Sequence, residues 1–232
     1  MNLNHTIEAQ LKKSGACFVH FVDITALSGE QNKNYPNAVL FGINLSPGYL
    51  QQIMNTPDYV QEMIQRNSDF SEDEFYLTEL KTDKLADEIS EYLVDNGYKA
   101  CSHSEKNQIE MGFLDNIHLK TPLPHKTLAR MAGTGWMGKN NLLVTQEFGS
   151  ALCLGVVLSN APVETVLYPP VQSKCYDCNV CVEVCKPKAL KGRVWNLNTQ
   201  REDMLDVGKC TTCINCLVFC PWTQKYIENS KK

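Results

Sequence analysis

The sequence predicts an α+β fold in two parts, a mixed body over residues 1–165 and a small cysteine-rich module over residues 166–232. Three observations predict it. Short apolar runs of strand character alternate with capped amphipathic helices as far as Ser159, the pattern of a sheet covered by helices. Three prolines fall between Ala161 and Pro170 and mark a joint. Beyond that joint lie eight of the eleven cysteines, in a stretch with no apolar core except what its cysteines could bind.

Each element has its own signal. Asn4 can cap a first helix that carries Ile7 and Leu11, and Gly15 can end it. Ala16–Val22 and Ala38–Leu45 read as strands, being short β-branched or aromatic runs beside turn residues. Thr56-Pro57 opens a second helix by the N-cap and N1-proline rule, with Val60, Met63 and Ile64 expected to face inward. Residues 67–74 are polar and acidic and read as a solvated loop. Thr82 caps a third helix whose Leu85, Ile89, Tyr92 and Leu93 form one stripe, stopped by Asn96-Gly97. His125–Met131 reads as helix, and Asn141–Thr145 and Ala151–Ser159 return to strand character.

The cysteines carry the strongest chemical signal. Cys175, Cys178, Cys181 and Cys185 form a C-x2-C-x2-C-x3-C run, and Cys210, Cys213, Cys216 and Cys220 repeat it. This is the bacterial ferredoxin spacing for two [4Fe–4S] clusters, in which the fourth cysteine of each run ligates the other cluster. The expected quartets are therefore Cys175, Cys178, Cys181 and Cys220 for one cluster, and Cys210, Cys213, Cys216 and Cys185 for the other. Pro221 follows Cys220 as the motif requires, whereas the proline after Cys185 comes one place late, at Pro187. Zinc and disulfides are the competing explanations, but zinc sites use four ligands in two separated CxxC pairs. Cys17, Cys101 and Cys153 are scattered; Cys17 and Cys153 sit in strand-like runs, where cysteine acts as a small hydrophobe.

Composition narrows the function classes. A formal net charge of −4 lacks the basic footprint of a nucleic-acid binder. No apolar run reaches the ~18 residues of a membrane span. The N-terminus lacks the basic and apolar regions of a secretory signal, and a thiol-rich chain without one is expected in the reducing cytoplasm.

Residues 132–141 read Ala-Gly-Thr-Gly-Trp-Met-Gly-Lys-Asn-Asn. Gly133, Gly135 and Gly138 satisfy G-x-G-x-x-G, but a dinucleotide site must follow a strand and open a helix, and here helix precedes and strand follows. The same residues approach a P-loop, yet Asn140 stands where Ser or Thr must hold Mg²⁺. Two readings remain. The segment is either a structural turn or a place where backbone approaches a flat or anionic ligand, with Lys139 and Asn140 as polar contacts.

This motif, followed by Leu142-Leu143, Gly149-Ser150, the proline-rich joint, the double cysteine run and Cys220-Pro221-Trp222, resembles epoxyqueuosine reductases, which are cobalamin-dependent and related to reductive dehalogenases. The resemblance spans roughly residues 12–222 and is strongest from 130 onward. It implies a nitroreductase-like α+β domain holding base-off cobalamin, beside a small two-cluster bacterial ferredoxin-type domain. It further implies that Gly133, Gly135, Trp136, Gly138, Lys139 and Asn140 lie against the corrinoid, and that the nearer cluster passes electrons to cobalt. Three departures bear on the substrate. Where the family has a proton-donating aspartate, this chain reads Ile117-His118-Leu119-Lys120-Thr121-Pro122, with Asp115 out of register. Ten residues follow Trp222, whereas those enzymes continue into a helical region that helps hold tRNA. The acidic balance does not suit a polyanionic tRNA.

The candidate proton donors are His118, Lys120, His125 and Lys126, just ahead of the glycine motif, and Tyr76, where related enzymes carry a tyrosine; the competing reading is a solvated loop for the first four and a half-buried core tyrosine for Tyr76. Trp195 and Trp222 are expected to shield the clusters from water. The leading expectation is an oxidoreductase that takes electrons from an external ferredoxin- or flavodoxin-type donor, passes them through two [4Fe–4S] clusters to bound cobalamin, and reduces an unidentified small substrate. The alternative is an electron-transfer or corrinoid-reducing partner of another protein, without a substrate of its own. A flavin in the same domain, or no second cofactor, is the third possibility.

Overall fold

The computed structural model describes residues 2–56, 58–65, 70–115 and 119–231. Contacts divide the chain into two compact units, each assembled from separate stretches of sequence. The first comprises residues 1–44, 77–133 and 153–169; the second comprises 45–76, 134–152 and 170–232. The second unit thus joins the cysteine-rich segment to two pieces drawn from the body of the chain.

The first unit is built on a four-stranded sheet of order β1-β2-β6-β3, from β1 (Phe18–Asp23), β2 (Asn37–Asn44), β3 (Ala100–Ser102) and β6 (Leu152–Ser159). β1 pairs antiparallel with β2, Phe18 opposite Gly42 and Asp23 opposite Asn37, and β3 pairs antiparallel with β6. Gly42 is glycine because a Cβ there would enter the Phe18 ring. Helices α1 (Leu3–Lys13) and α5 (Glu74–Asp95) supply Ile7, Leu11, Leu85, Ile89 and Leu93 to one buried cluster with Phe21, Val39, Phe41 and Val157 of the sheet. The 3.6-residue spacing of these positions is what puts them on one face.

Two expectations about helix ends need correction. Asn2, not Asn4, caps α1, accepting from the His5 amide, while the Asn4 side chain bonds Glu164. α5 begins at Glu74 rather than after Thr82, because buried Asp73 accepts from the Tyr76 amide and so starts the helix in the acidic stretch read as loop. Thr82 lies mid-helix and satisfies its hydroxyl on the Glu79 carbonyl one turn back, as helical threonines do. Asn96-Gly97 does end α5, with Gly97 at φ +84.

The second unit opens with α3 (Pro47–Asn55), which the sequence analysis missed although Ser46-Pro47 carries the same cap signal as Thr56-Pro57. Pro57 lies outside the described residues. The helix expected after it is α4 (Tyr59–Gln65), but Val60 and Met63 are only half-buried and Ile64 is exposed, so the inward face assigned to these three is partial and leaves Ile64 out. A 3-10 turn, Phe70–Glu72, occupies the described part of the expected loop before α5. Short helices α6 (Glu105–Glu110) and α7 (His125–Met131) complete the first unit; α7 has the bounds read from sequence.

Candidate functional site

The glycine motif folds as a tight hairpin. Strands β4 (Trp136–Met137) and β5 (Leu143–Val144) pair antiparallel around residues 138–142, closed by Gly138 N–H on the Leu142 carbonyl at 2.9 Å. A Cβ on Gly135 would press on the Val144 carbonyl group, and one on Gly138 would press on Asn140 and Val144. Gly133, in the first unit, has φ +69 and faces the Tyr168 ring. Each position thus favours glycine, Gly135 through close backbone, Gly138 through close side chains and Gly133 through its left-handed conformation. Lys139 and Asn140, at the tip, are the residues with chemistry to offer.

The two cysteine runs fold as near copies. Helix α8 (Val180–Glu183) starts two residues after Cys178, and α10 (Asn215–Val218) starts two residues after Cys213. Tyr176, Thr212 and Ile214 hold φ of 38, 51 and 53 within these loops. For β-branched residues this backbone is strained and persists only where the surroundings fix it, as wrapping around a ligand would. Helix α11 (Pro221–Asn229) then begins with Cys220 at its cap and Pro221 at N1.

Cys175, Cys178, Cys181 and Cys220 line one cavity of about 400 Å³. Three come from the first run and the fourth from the second, the composition expected of a cross-ligated quartet. Burial pushes the Cys181 thiol up to about 12, with further upward pressure from Cys220, Cys175 and Cys178. Cys216 is likewise pushed up to about 12, first by burial and then by Cys213, Cys181, Cys210 and Cys185. Those neighbours are the other quartet plus Cys181. Thiolates gathered like this repel one another unless cationic iron neutralises them, so the donor set fits two clusters. All eight are free cysteines. Among the described residues no three His, Cys, Asp or Glu side chains converge as a single ion requires.

Apolar packing closes around the first quartet. Trp136 is 2% exposed and clusters with Val144 and Cys220, against which Cys175, Val171 and Trp222 pack. The Trp136 and Trp222 rings meet edge-on at 5.0 Å. The Trp136 indole N–H is buried without a partner. Trp222 thus stands where shielding was expected; Trp136 does so too, a role that the glycine pattern around it obscured. Trp195 is half-buried.

The hairpin tip is tied to both cysteine runs. Lys139 Nζ donates to Asn179 Oδ1, between Cys178 and Cys181, at 3.0 Å. Asn140 Nδ2 donates to the Cys216 carbonyl at 3.2 Å and to Ser150 Oγ at 2.9 Å, and its Oδ1 accepts from the Leu142 amide. The Ser150 amide in turn donates to Thr223 Oγ1 of α11 at 3.0 Å. Gly149, at φ +58, fits only because it has no Cβ to strike Thr223.

The proton-donor candidates do not gather at this cavity. His118 lies outside the described residues. Lys120 is exposed in the first unit, where its backbone pairs with Asp115. Tyr76 is 42% exposed on α5, beside Phe70. Of the glycine-motif residues, only Lys139 and Asn140 line the cavity.

No family model matches the chain. It is similar to an epoxyqueuosine reductase from Listeria monocytogenes, 31% identical over 133 residues that cover 51% of this chain and 32% of that protein. A second, from Lactococcus garvieae, is 30% identical over 67% of this chain and 38% of its own length. The chain thus spans about a third of the length of these curated relatives, and 48% of one from Atelocyanobacterium thalassa. Among solved structures, epoxyqueuosine reductase from Streptococcus thermophilus matches 97% of this chain and 67% of its own with a TM-score of 0.55 at 16% identity. The catabolic reductive dehalogenase NpRdhA matches 90% of this chain and 30% of its own with a TM-score of 0.59 at 18% identity. The chain is a partial, divergent relative of epoxyqueuosine reductases and shares a mixed α/β fold with them and with reductive dehalogenases. Because these relatives are named for epoxyqueuosine, the comparisons lend no support to the expectation that disfavours tRNA; that expectation rests on the three departures read from the sequence. No helix among the described residues is long and apolar enough to cross a membrane.

Proposed function

We propose that this chain is an iron–sulfur, cobalamin-dependent reductase. Cys175, Cys178, Cys181 and Cys220 hold one [4Fe–4S] cluster, and Cys210, Cys213, Cys216 and Cys185 hold the other, in a ferredoxin-type domain over residues 166–232. The nitroreductase-like body, residues 1–165, holds the corrinoid. One observation carries the reading: Cys220 joins three cysteines from 39 to 45 positions earlier at a single cavity. A solved relative is described as performing B12-dependent dehalogenation, and the curated relatives are named as reductases, which supports the same class here.

When bound, the clusters supply one-electron transfer and the corrinoid supplies a metal centre for reductive chemistry. The chain's own residues do the rest. Trp136 and Trp222 cover the first quartet and keep water from it. Ser150 and Thr223 tie the hairpin to α11, fixing Cys220 against Cys175. Lys139 and Asn140 hold the hairpin tip to both cysteine loops and offer the polar contacts nearest the cavity. The electron donor is an external ferredoxin- or flavodoxin-type carrier, and the substrate is a small molecule or a modified nucleoside of the kind the relatives' name denotes. His118, Lys120 and Tyr76 stand as the proposed sources of the proton.

The test is anaerobic reconstitution of the full chain. Iron and sulfide should amount to two cubes per chain, and added cobalamin should bind in its base-off form by optical and paramagnetic spectra. Iron far below two cubes, or no affinity for cobalamin, would refute it.

A further inference from the structure

Lys139 presents an electrostatic problem that its neighbours do not solve. It is only 6% exposed, and its Nζ donates to the neutral Asn179 amide oxygen at 3.0 Å. No carboxylate lines the cavity it faces, where Lys174 and Lys225 add two further cations. A buried ammonium without an anion is costly to keep charged. The anion must therefore come from what the cavity holds, and the cavity is lined by four thiols whose cluster would carry net negative charge.

Resting on the function proposed above, we propose that Lys139 is the internal counter-cation of the cluster bound by Cys175, Cys178, Cys181 and Cys220, and that it raises that cluster's reduction potential. Reduction adds one electron to the cube with no bond broken and no proton moved; the donor carrier loses that electron. The reduced cube is one charge more negative, so a fixed cation stabilises it more than the oxidised cube. Burial magnifies the effect because little water screens it. Asn179 positions the charge: its Oδ1 is committed to Lys139, and α8 accordingly lacks a side-chain cap. Lys225 is exposed and lies 5.7 Å from the Trp222 ring centroid, so water screens it and its influence is smaller.

Potentiometric titration followed by electron paramagnetic resonance, on the reconstituted full chain, separates the two clusters. Lys139→Met should move one midpoint to more negative potential and leave the other unchanged, while Lys139→Arg keeps both near wild type. Lys225→Met should shift the same midpoint less. If Lys139→Met instead loses one cube, Lys139→Arg should restore it; failure to restore it overturns the proposal. Unchanged midpoints in Lys139→Met with full iron content overturn it too, as does a variant whose only defect is weaker cobalamin binding. Failure of wild type to hold two cubes would sink the proposed function, a result distinguishable from any of these.

Discussion

At the scale of single residues, cross-ligation makes an asymmetric prediction. Cys220 lies in the second run but lines the cavity of the first. Cys220→Ser should therefore remove the cluster of Cys175, Cys178 and Cys181 and spare that of Cys210, Cys213 and Cys216, roughly halving bound iron and sulfide. Cys185→Ser should do the reverse. Loss of the Cys210, Cys213 and Cys216 cluster in Cys220→Ser, and of the Cys175, Cys178 and Cys181 cluster in Cys185→Ser, would show that each run binds its own cube. Gly135 makes a second prediction, because its alanine variant would drive a methyl group against the Val144 carbonyl. Gly135→Ala should destabilise the fold by about 1–3 kcal/mol, seen as a lower midpoint in denaturant. If the loss appeared only in cofactor affinity, with stability unchanged, the glycine would serve a ligand rather than the hairpin.

At the scale of elements, legibility followed how local the determining force is. The α5 stripe of Leu85, Ile89, Tyr92 and Leu93 is readable because periodic burial is written in the side chains; the three aliphatic residues are buried and Tyr92 packs half-buried against the same cluster. Its start is not. Asp73 works as a helix start only because Tyr49 also donates its hydroxyl to the Asp73 carboxylate at 2.9 Å, a contact across 24 residues. Ser46-Pro47 was legible but passed over, and its cap is doubly used: Ser46 Oγ accepts from the Tyr49 amide at 3.1 Å and donates to Glu74 Oε2 at 2.6 Å. Ser46→Ala should cost about 1 kcal/mol through the lost cap, and more because a Glu74 oxygen loses its donor. Leu93→Ala, fully buried against the sheet, should cost about 2–5 kcal/mol. Equal costs in thermal or denaturant unfolding would mean that the Ser46–Glu74 pair matters as much as a core leucine.

At the scale of the whole molecule, sequence order and contact order part company. Proline content marks a joint near residue 165, yet the cysteine-rich unit also takes in 45–76, tied in where Tyr226 donates to the Leu45 carbonyl and Gln61 to Thr211, and 134–152, where Asn140 and Ser150 bond to residues 73 to 76 positions onward. No local pattern announces such pairings. Nor does one announce the histidine pair of the first unit, His103 buried and His125 half-buried. His103 and His125 lie with ring centroids 6.0 Å apart, and neither ring nitrogen of His103 has a hydrogen-bond partner. Burial, then the neighbouring His125 and Lys33, lowers the His103 pKa to about 3, and burial lowers His125 as well. A depressed histidine pKa means that the unfolded chain takes up the proton first. Below about pH 6.5 the unfolded state binds more protons than the native one, so stability falls as pH drops from about 6.5 toward 3 and is fully present above 6.5. The slope for one such histidine approaches 1.4 kcal/mol per pH unit, and His125 adds to it in the same direction. Unfolding midpoints measured between pH 7.5 and the pH at which iron content begins to drop should therefore decline on acidification. His103→Gln should flatten that decline, whatever it costs at neutral pH. An undiminished acid dependence in the variant would place the proton uptake elsewhere, first of all on His125, which His125→Gln would then reveal.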